Sequence, residues 1–238
     1  MVGNTSETWR IGDVVRKVYL ADSDADITQA NIEAAKNEAN VYLILKGHRL
    51  IAECLAIGPT KDYIDLKFYP RGTLRDYVHS NRYRISDPQL KTWACQLIES
   101  VAYIHSKGVR HADLRLDQWL LDEDLQPRLA DFNGSGFDIQ PDLGLDFTTA
   151  TSIESASHYL PRDDNEDSTV KSDLFALGSS IFELMANSAP YEGMDHDVIV
   201  SNFAGHIFPS VEHLLMGHVI MGCWKGQYTS AEQILDHL

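Results

Sequence analysis

Two aspartates on polar stretches, one on each side of a short apolar hairpin, are the residues best suited to chemistry in this chain. Asp113 lies in the segment His-Ala-Asp-Leu-Arg-Leu-Asp-Gln, which follows an apolar run, and Asp131 lies in Ala-Asp-Phe-Asn. Residues 119–121 and 128–130 are predicted strands joined by a turn, so both aspartates come to one edge of a small ribbon. The pattern predicts a carboxylate that can accept a proton beside one that can hold a metal ion.

These two segments resemble the catalytic core of protein kinases, in which the catalytic loop reads H-R-D-L-x-x-x-N and the metal loop reads D-F-G. The resemblance implies that Asp113 accepts the proton of a substrate hydroxyl and that Asp131 holds Mg²⁺ on the phosphates of ATP. It also implies that Gln118 holds a second Mg²⁺ and that Arg115 neutralises the transferring phosphate. An isolated Asp in such a loop is as often a turn or cap residue, so the interpretation depends on the order of motifs elsewhere.

Two further residues bear on the order of kinase motifs along the chain, a lysine and a glutamate that lie before residue 46. Residues 14–20 are β-branched and aromatic, which predicts a strand containing Lys17. Residues 28–45 have apolar side chains at helical spacing, and Thr28 is the expected cap of this helix. A strand lysine is usually an outward-facing surface residue, but the resemblance implies that Lys17 contacts the α- and β-phosphates. Glu38 is then the better match to the helix glutamate that pairs with this lysine, and Glu33 is the alternative.

A predicted antiparallel pair, residues 50–57 and 63–68, leads into a segment that resembles the hinge between the two kinase lobes. The resemblance assigns an adenine site to the backbone groups of Lys67, Phe68 and Tyr69 and to the side chains of Leu66 and Leu120.

The second half of the chain continues the kinase order, with some departures. Asp87-Pro88 opens a long amphipathic helix over 89–107. Asp173 stands where the family has a buried carboxylate that accepts hydrogen bonds from the catalytic loop. Asn133 replaces the last glycine of the metal loop, and Asn tolerates positive φ better than most residues. The closing A-P-E motif reads Leu-Pro-Arg and ends at Arg162.

Together these features predict an α+β, two-lobed protein kinase-like fold, and the H-A-D-L-R and D-F-N loops resemble those of fungal kinase-like proteins in particular. Residues 1–13 are expected to be disordered or frayed. Residues 14–68 are expected to form a truncated small lobe with an incomplete antiparallel sheet and one helix, and residues 69–238 a mostly helical large lobe. The sequence contains no G-x-G-x-x-G motif. A kinase has about two further strands carrying that motif before the lysine strand.

Composition excludes several classes of function. The net charge of −15 argues against binding to nucleic acid or to an anionic membrane. The three cysteines show no metal-binding spacing and indicate a reducing compartment. No signal peptide and no apolar run long enough for a membrane helix are visible. We therefore expect a soluble intracellular protein, either cytoplasmic or nuclear.

The sequence leaves three functions open. The first is a protein kinase that transfers a phosphoryl group from ATP, with Mg²⁺, to a Ser, Thr or Tyr hydroxyl of a protein. The second is a pseudokinase, which binds a nucleotide or serves only as an interaction module; the missing glycine motif favours it. The third is a small-molecule phosphotransferase, against which Pro161, Asp173 and Cys223-Trp224 argue. The protein substrate or binding partner and the oligomeric state are not determined by the sequence.

Overall fold

The structure is a computed structural model that describes residues 5–150, 153–163 and 166–238. It has the predicted α+β architecture, with a small lobe built on an antiparallel sheet and a large lobe built on helices. The two lobes are joined by residues 68–73, between the last strand of the small lobe and the first helix of the large lobe. No helix among the described residues is long and apolar enough to cross a membrane.

The small lobe contains one four-stranded antiparallel sheet and one long helix. Its elements are β1 Ser6–Ile11, β2 Val14–Tyr19, α1 Ala25–Leu45, β3 Cys54–Ile57 and β4 Tyr63–Lys67. The strands lie in the order β1-β2-β4-β3, so β2 and β4 are central and β1 and β3 are at the edges. The helix connects β2 to β3 and buries the face that carries Glu38, Ala39, Tyr42 and Leu45.

The expectation that residues 1–13 are frayed was wrong for β1. All six residues of β1 pair with β2, from Ser6 opposite Tyr19 to Ile11 opposite Val14. Gly12, at φ 63°, allows the tight turn between the two strands. One of the two strands that seemed to be missing before the lysine strand is therefore present. Residues 1–4 lie outside the described residues.

Two predicted helix starts also moved. Helix α1 begins at Ala25 because Asp24 caps it by accepting a hydrogen bond from the Asp26 N–H. Thr28, the predicted cap, instead bonds with its hydroxyl to the backbone of Asp22. The helix predicted from residue 89 begins at residue 87, because a serine rather than Asp87 is the cap.

The strand predicted over residues 50–57 begins only at Cys54. The preceding residues pair with the large lobe instead, since the N–H of Ala52 donates to the carbonyl of Leu129 at 2.8 Å and the N–H of Leu129 donates to Leu50 at 2.9 Å. This short exchange of backbone hydrogen bonds joins the small lobe to the hairpin that precedes Asp131.

Within the described residues, the large lobe contains six α-helices and two short antiparallel strand pairs. Its helices are α2 Leu74–Asn81, α3 Asp87–Ser106, α4 Val170–Ala186, α5 His196–Ala204, α6 Gly217–Trp224 and α7 Ala231–Leu235. Its strands are β5 Val109–Arg110, β6 Trp119–Leu121, β7 Pro127–Leu129 and β8 Gly136–Phe137, with β6 paired to β7 and β5 paired to β8. The β6–β7 hairpin brings the loops containing Asp113 and Asp131 to one side, as predicted.

The central helix α4 is buried along nearly its whole length, from Ser172 to Met185. Gly178 lies where this helix meets α6. A Cβ atom added at Gly178 would lie 2.6 Å from the Cβ of Cys223. Glycine at this position therefore sets how closely the two helices approach.

We predict that Gly178→Ala destabilises the protein by about 1–3 kcal/mol, because the added methyl group forces α4 and α6 apart. Urea unfolding followed by circular dichroism measures this change. Lys171→Ala, at an exposed position in the first turn of the same helix, is the control and should change the free energy of unfolding by less than about 0.5 kcal/mol. Equal stability of Gly178→Ala and the wild type would show that the interface is not closely packed.

Candidate active site

Lys17 points from the middle of β2 into the space between the lobes rather than out to solvent. Its Nζ lies 2.8 Å from Glu38 Oε2 and 2.5 Å from Asp131 Oδ1. Burial by itself lowers the pKa of Lys17, but the two carboxylates outweigh it and the pKa is raised above its usual value. The ammonium group therefore stays charged and joins β2, α1 and the loop after β7.

The glutamate beside Lys17 is Glu38, and the alternative, Glu33, is excluded by position. Glu38 is 2% exposed and also accepts a hydrogen bond from the N–H of Phe132. Burial raises the pKa of Glu38, and Lys17 opposes that rise. Glu33 lies on the exposed side of α1, 3.9 Å from Lys36.

Asp131 lies in the metal loop with a left-handed backbone, φ 67°. Phe132, which is fully buried, anchors the loop by packing edge-on against Tyr42. Burial by itself raises the pKa of Asp131, but the charge and hydrogen bond of Lys17 outweigh it, so the pKa is lowered. Residues 133–134 form the expected turn, closed by the N–H of Ser135 donating to the carbonyl of Phe132 at 3.1 Å, but the positive φ falls on Asp131 and not on Asn133.

Asp113 is held by two neighbours in the catalytic loop. The amide nitrogen Nε2 of Gln118 donates to Asp113 Oδ2 at 2.8 Å, and Nε of Arg115 lies 3.3 Å from Asp113 Oδ1. Burial raises the pKa of Asp113; Arg115 and His111 oppose the rise, whereas the negative charge of Asp131 adds to it. A carboxylate with a raised pKa is better suited to accept a proton than an ordinary surface Asp.

The catalytic loop is held from below by Asp173 of α4, which is 1% exposed. Its two oxygens accept hydrogen bonds from the N–H groups of His111 and Ala112, each at 2.8 Å, and Nε2 of His105 lies 2.9 Å from it. Ala112 has φ 66°, an unfavourable conformation for a residue with a side chain. The predicted positioning role of Asp173 is confirmed, because these bonds hold the strained turn that precedes Asp113.

Among the backbone groups predicted to bind adenine, one N–H is unpaired within the described residues. The N–H of Lys67 donates to Glu53 O at 2.9 Å and the N–H of Phe68 donates to Asp13 O at 2.8 Å. Within the described residues, the N–H of Tyr69 has no hydrogen-bond partner. Of the N–H groups of these three predicted residues, that of Tyr69 is therefore the one that remains available.

The side chains predicted to line the adenine site lie on both sides of this hinge. Leu66 is buried and Leu120 is partly exposed, packed against a small apolar cluster of Ala52, Tyr69 and Ala130. The hydroxyl of Tyr69 accepts a hydrogen bond from the N–H of Glu53 at 2.9 Å. This bond fixes the ring and with it the backbone of the hinge.

The donor set fits Mg²⁺ only when phosphate oxygens complete it. The described residues contain no group of three or more His, Cys, Asp or Glu side chains that could hold a metal ion. Lys17 donates to Asp131 Oδ1, no hydrogen bond to Oδ2 is found within the described residues, and Gln118 has its amide oxygen left once its nitrogen is bound to Asp113. One carboxylate and one amide oxygen match the few protein ligands that Mg²⁺ takes when it binds together with a phosphate group.

The segment that ends in the Leu-Pro-Arg motif contains an ion pair that the sequence did not suggest. Arg162, which stands in place of the family's glutamate, donates to the carboxylate of Glu154 and to Ser168 Oγ. Glu154 and Arg162 are both largely buried. The pair is local to the segment, so the absence of the family's glutamate and arginine leaves no orphaned charge here.

A second group of charges lies under the catalytic loop. Arg75 of α2 lies between Glu183 of α4, at 3.0 Å, and Asp117, at 3.3 Å. His79 and His158 lie 3.7 and 3.9 Å from Glu183. Burial, opposed in part by Arg75, raises the pKa of Glu183 to about 7, and burial lowers the pKa of His158 to about 3.

We predict that Glu183→Gln stabilises the protein progressively as the pH rises from 5 to 8. Because the folded-state pKa of Glu183 is raised above its unfolded value, the folded protein binds this proton more tightly, and the wild type loses stability as the pH rises through that range. The gain at pH 8 is at most about 3 kcal/mol. Melting temperatures at pH 5, 6, 7 and 8 measure it, with the exposed Glu232→Gln as control. A constant difference between variant and wild type at all four pH values would contradict the prediction.

The fold and the site together define a two-lobed phosphotransferase-like domain, and comparison with known proteins gives its family. A sequence model of the protein kinase domain matches residues 6–229. The chain therefore belongs to the protein kinase domain family. The match includes β1, in agreement with the corrected start of the small lobe.

Individual kinases from distant organisms align with most of the chain. Maternal embryonic leucine zipper kinase of Xenopus tropicalis is 28% identical over 189 residues, which is 79% of this chain and 27% of that protein. A probable serine/threonine-protein kinase of Dictyostelium discoideum is 24% identical over 91% of this chain and 24% of its own length. CBL-interacting protein kinase 32 of Oryza sativa subsp. japonica is 29% identical over 76% of this chain and 41% of its own length. The chain thus spans well under half the length of these relatives. The narrower resemblance to fungal kinase-like proteins stays a prediction.

Proposed function

We propose that this domain binds ATP together with Mg²⁺ and transfers the terminal phosphoryl group to a hydroxyl group of a protein. The observation that carries the proposal is the position of Lys17, whose ammonium lies 2.8 Å from Glu38 and 2.5 Å from Asp131. Kinases need this lysine–glutamate pair and the metal-loop aspartate in place together. The Dictyostelium discoideum relative, named as a probable serine/threonine-protein kinase, supports Ser or Thr as the acceptor.

Each proposed binding role is assigned to a group that still has a hydrogen bond or a coordination position to offer. The N–H of Tyr69 can donate to a ring nitrogen of adenine, and Leu66 and Leu120 are apolar surfaces for the base. Lys17 can donate its third proton to a phosphate oxygen, since Glu38 and Asp131 take the other two. Asp131 and Gln118 would hold Mg²⁺, which when bound neutralises the charge on the β- and γ-phosphates.

The chemical step depends on Asp113. Its carboxylate would orient the acceptor hydroxyl and take its proton as the hydroxyl oxygen bonds to the γ-phosphorus of ATP, while the bond from that phosphorus to the β–γ bridging oxygen breaks and ADP leaves. The guanidinium of Arg115 would compensate charge on the phosphoryl group. Gln118 and Arg115 hold Asp113 in place, at 2.8 and 3.3 Å. Because burial raises its pKa, Asp113 gains a proton more readily than an exposed Asp, which favours this role.

A second candidate is a pseudokinase, an interaction module that uses the kinase fold without phosphoryl transfer. The observation that favours it concerns β1, which runs as a regular strand past Lys17 with Thr8 opposite that lysine. A kinase has a glycine-rich loop over the phosphates near this lysine. In either case we propose that the partner is a protein. We also propose an intracellular location, where ATP is abundant and the three free cysteines stay reduced. Transfer to a small molecule has no support from the family match.

We predict that ATP with Mg²⁺ raises the melting temperature by about 5–10 °C when ATP exceeds its Kd by about 100-fold. Asp131→Ala should abolish the part of the shift that depends on Mg²⁺, because it removes the carboxylate ligand. The exposed Asp197→Ala is the matched control and should behave as the wild type. Thermal shift with ATP alone, Mg²⁺ alone and both provides the measurement, and a flat response at all concentrations would leave only the interaction module.

We further predict that Asp113→Asn separates binding from chemistry. The amide keeps the size of the side chain but cannot take a proton, so phosphoryl transfer should fall by about 10²- to 10⁴-fold while the thermal shift with ATP and Mg²⁺ persists. Transfer of radiolabelled phosphate to degenerate peptides fixed at Ser, Thr or Tyr measures this. A wild-type protein that binds the nucleotide but labels no peptide would favour the pseudokinase.

A further inference from the structure

We infer that Asn133 is a positioning residue that fastens the start of β1 onto the metal loop. The side chain nitrogen Nδ2 of Asn133 donates to Thr5 Oγ1 at 2.8 Å, although 128 residues separate the two positions. Asn133 follows Asp131 by two residues, and Thr5 leads directly into β1. With glycine, as in the kinase motif, this side-chain contact would not exist. The inference rests on the proposed function only in assigning the contact to the phosphate end of the cleft.

Thr5 is itself held in place, so the contact is not with a free end. The N–H of Leu20 donates to the carbonyl of Thr5 at 2.9 Å, and Ser6 pairs with Tyr19 at the start of the β1–β2 ladder. Two residues further, Thr8 lies opposite Lys17 across the same ladder. β1 therefore connects the contact made by Asn133 to β2, the strand that presents the ammonium group of Lys17.

The metal loop is held on its other side by Asn37 of α1. Nδ2 of Asn37 lies 2.7 Å from the carbonyl oxygen of Ser135, 3.1 Å from that of Asn133 and 3.4 Å from that of Phe132. The loop that carries Asp131 is thus tied to α1 by backbone acceptors and to β1 by a side-chain donor. Both contacts are made with the small lobe, so together they limit how far that lobe can move from the metal loop.

A small cavity beside Lys17 is lined by both partners of this hydrogen bond. Thr5, Ser6 and Asn133, together with Lys17 and Glu38, are among the residues that line a cavity of about 10 Å³, roughly the room that one water molecule needs. The hydrogen bond between Thr5 and Asn133, here called the polar clasp, therefore lies beside the buried ion pair of Lys17 and Glu38.

The test is a double-mutant cycle of Asn133→Ala, Thr5→Val and both together, since each single variant removes the hydrogen bond and keeps the backbone type. Native-state hydrogen exchange of the amides of residues 132–136 is the first measurement. We expect each single variant to exchange these amides about 3- to 10-fold faster and the double variant to be no faster than either. Thr60→Val, on an exposed turn, is the matched control. Exchange unchanged from the wild type, or additive effects in the double variant, would overturn the inference.

The second measurement is the Mg²⁺ concentration that gives half of the thermal shift with ATP. If the clasp positions Asp131 for metal binding, that concentration rises about 3- to 10-fold in each single variant and no further in the double variant, which a general loss of stability would not produce. Coupled hydrogen exchange without any nucleotide response, even in the wild type, would support the clasp and refute the proposed function. Coupled exchange with an unchanged Mg²⁺ requirement would overturn the positioning role of Asn133. If Asn133→Ala does not fold, Thr5→Val alone decides by the same two measurements.

Discussion

The ion pairs of Lys17 are the interaction on which the rest of this structure depends. One ammonium group, 13% exposed, neutralises a carboxylate on α1 and another on the metal loop. Burying the charges of Lys17 and Glu38 has a large desolvation cost, so such a cluster does more to fix geometry than to add stability. Removing the lysine would leave two carboxylates facing each other in a poorly solvated space. The positions of α1, β2 and the metal loop are therefore mutually dependent.

Two further carboxylates, those of Asp173 and Asp113, have different roles in the site because their surroundings differ. Asp173 does no chemistry, but its oxygens hold the N–H groups of the catalytic loop and so maintain the strained backbone at Ala112. Asp113, at the end of that strained turn, is left with a raised pKa, whereas Asp131 beside Lys17 has a lowered pKa. Neighbouring carboxylates with opposite shifts are typical of sites where one group takes a proton and another stays ionised.

The departures from the kinase motifs have local compensations. The loss of the closing glutamate is matched by the buried pair of Glu154 and Arg162 within the segment. Asn133, which stands where the motif has glycine, does not take a positive φ and instead makes a bond to Thr5. In both places a polar contact replaces a feature of the family, so the domain keeps its architecture despite the altered motifs.

Motif order predicted much of the site, because each element has a local signal. The apolar spacing of α3 and the β-branched residues of β2 are visible within a few residues, and so are the loops that contain Asp113 and Asp131. β1 was missed because Ser6–Ile11 mixes polar and apolar residues and leaves Trp9 and Ile11 exposed. Its strand conformation comes from pairing with β2, which no short window of sequence shows. The start of α1 was missed because Asp24 and Thr28 are both good caps, and the helix geometry decided between them.

The sequence by itself determined which charged groups this domain has, their order along the chain and the elements that carry them. Only the tertiary structure decided that Glu38 rather than Glu33 meets Lys17 and that Asn133 reaches Thr5. It also decided that the N–H of Tyr69 finds no partner in the part of the chain that the structure describes. The physical reason is that these outcomes depend on contacts between segments far apart in the chain. Such contacts form only when the lobes pack together, and burial then selects which polar groups find partners.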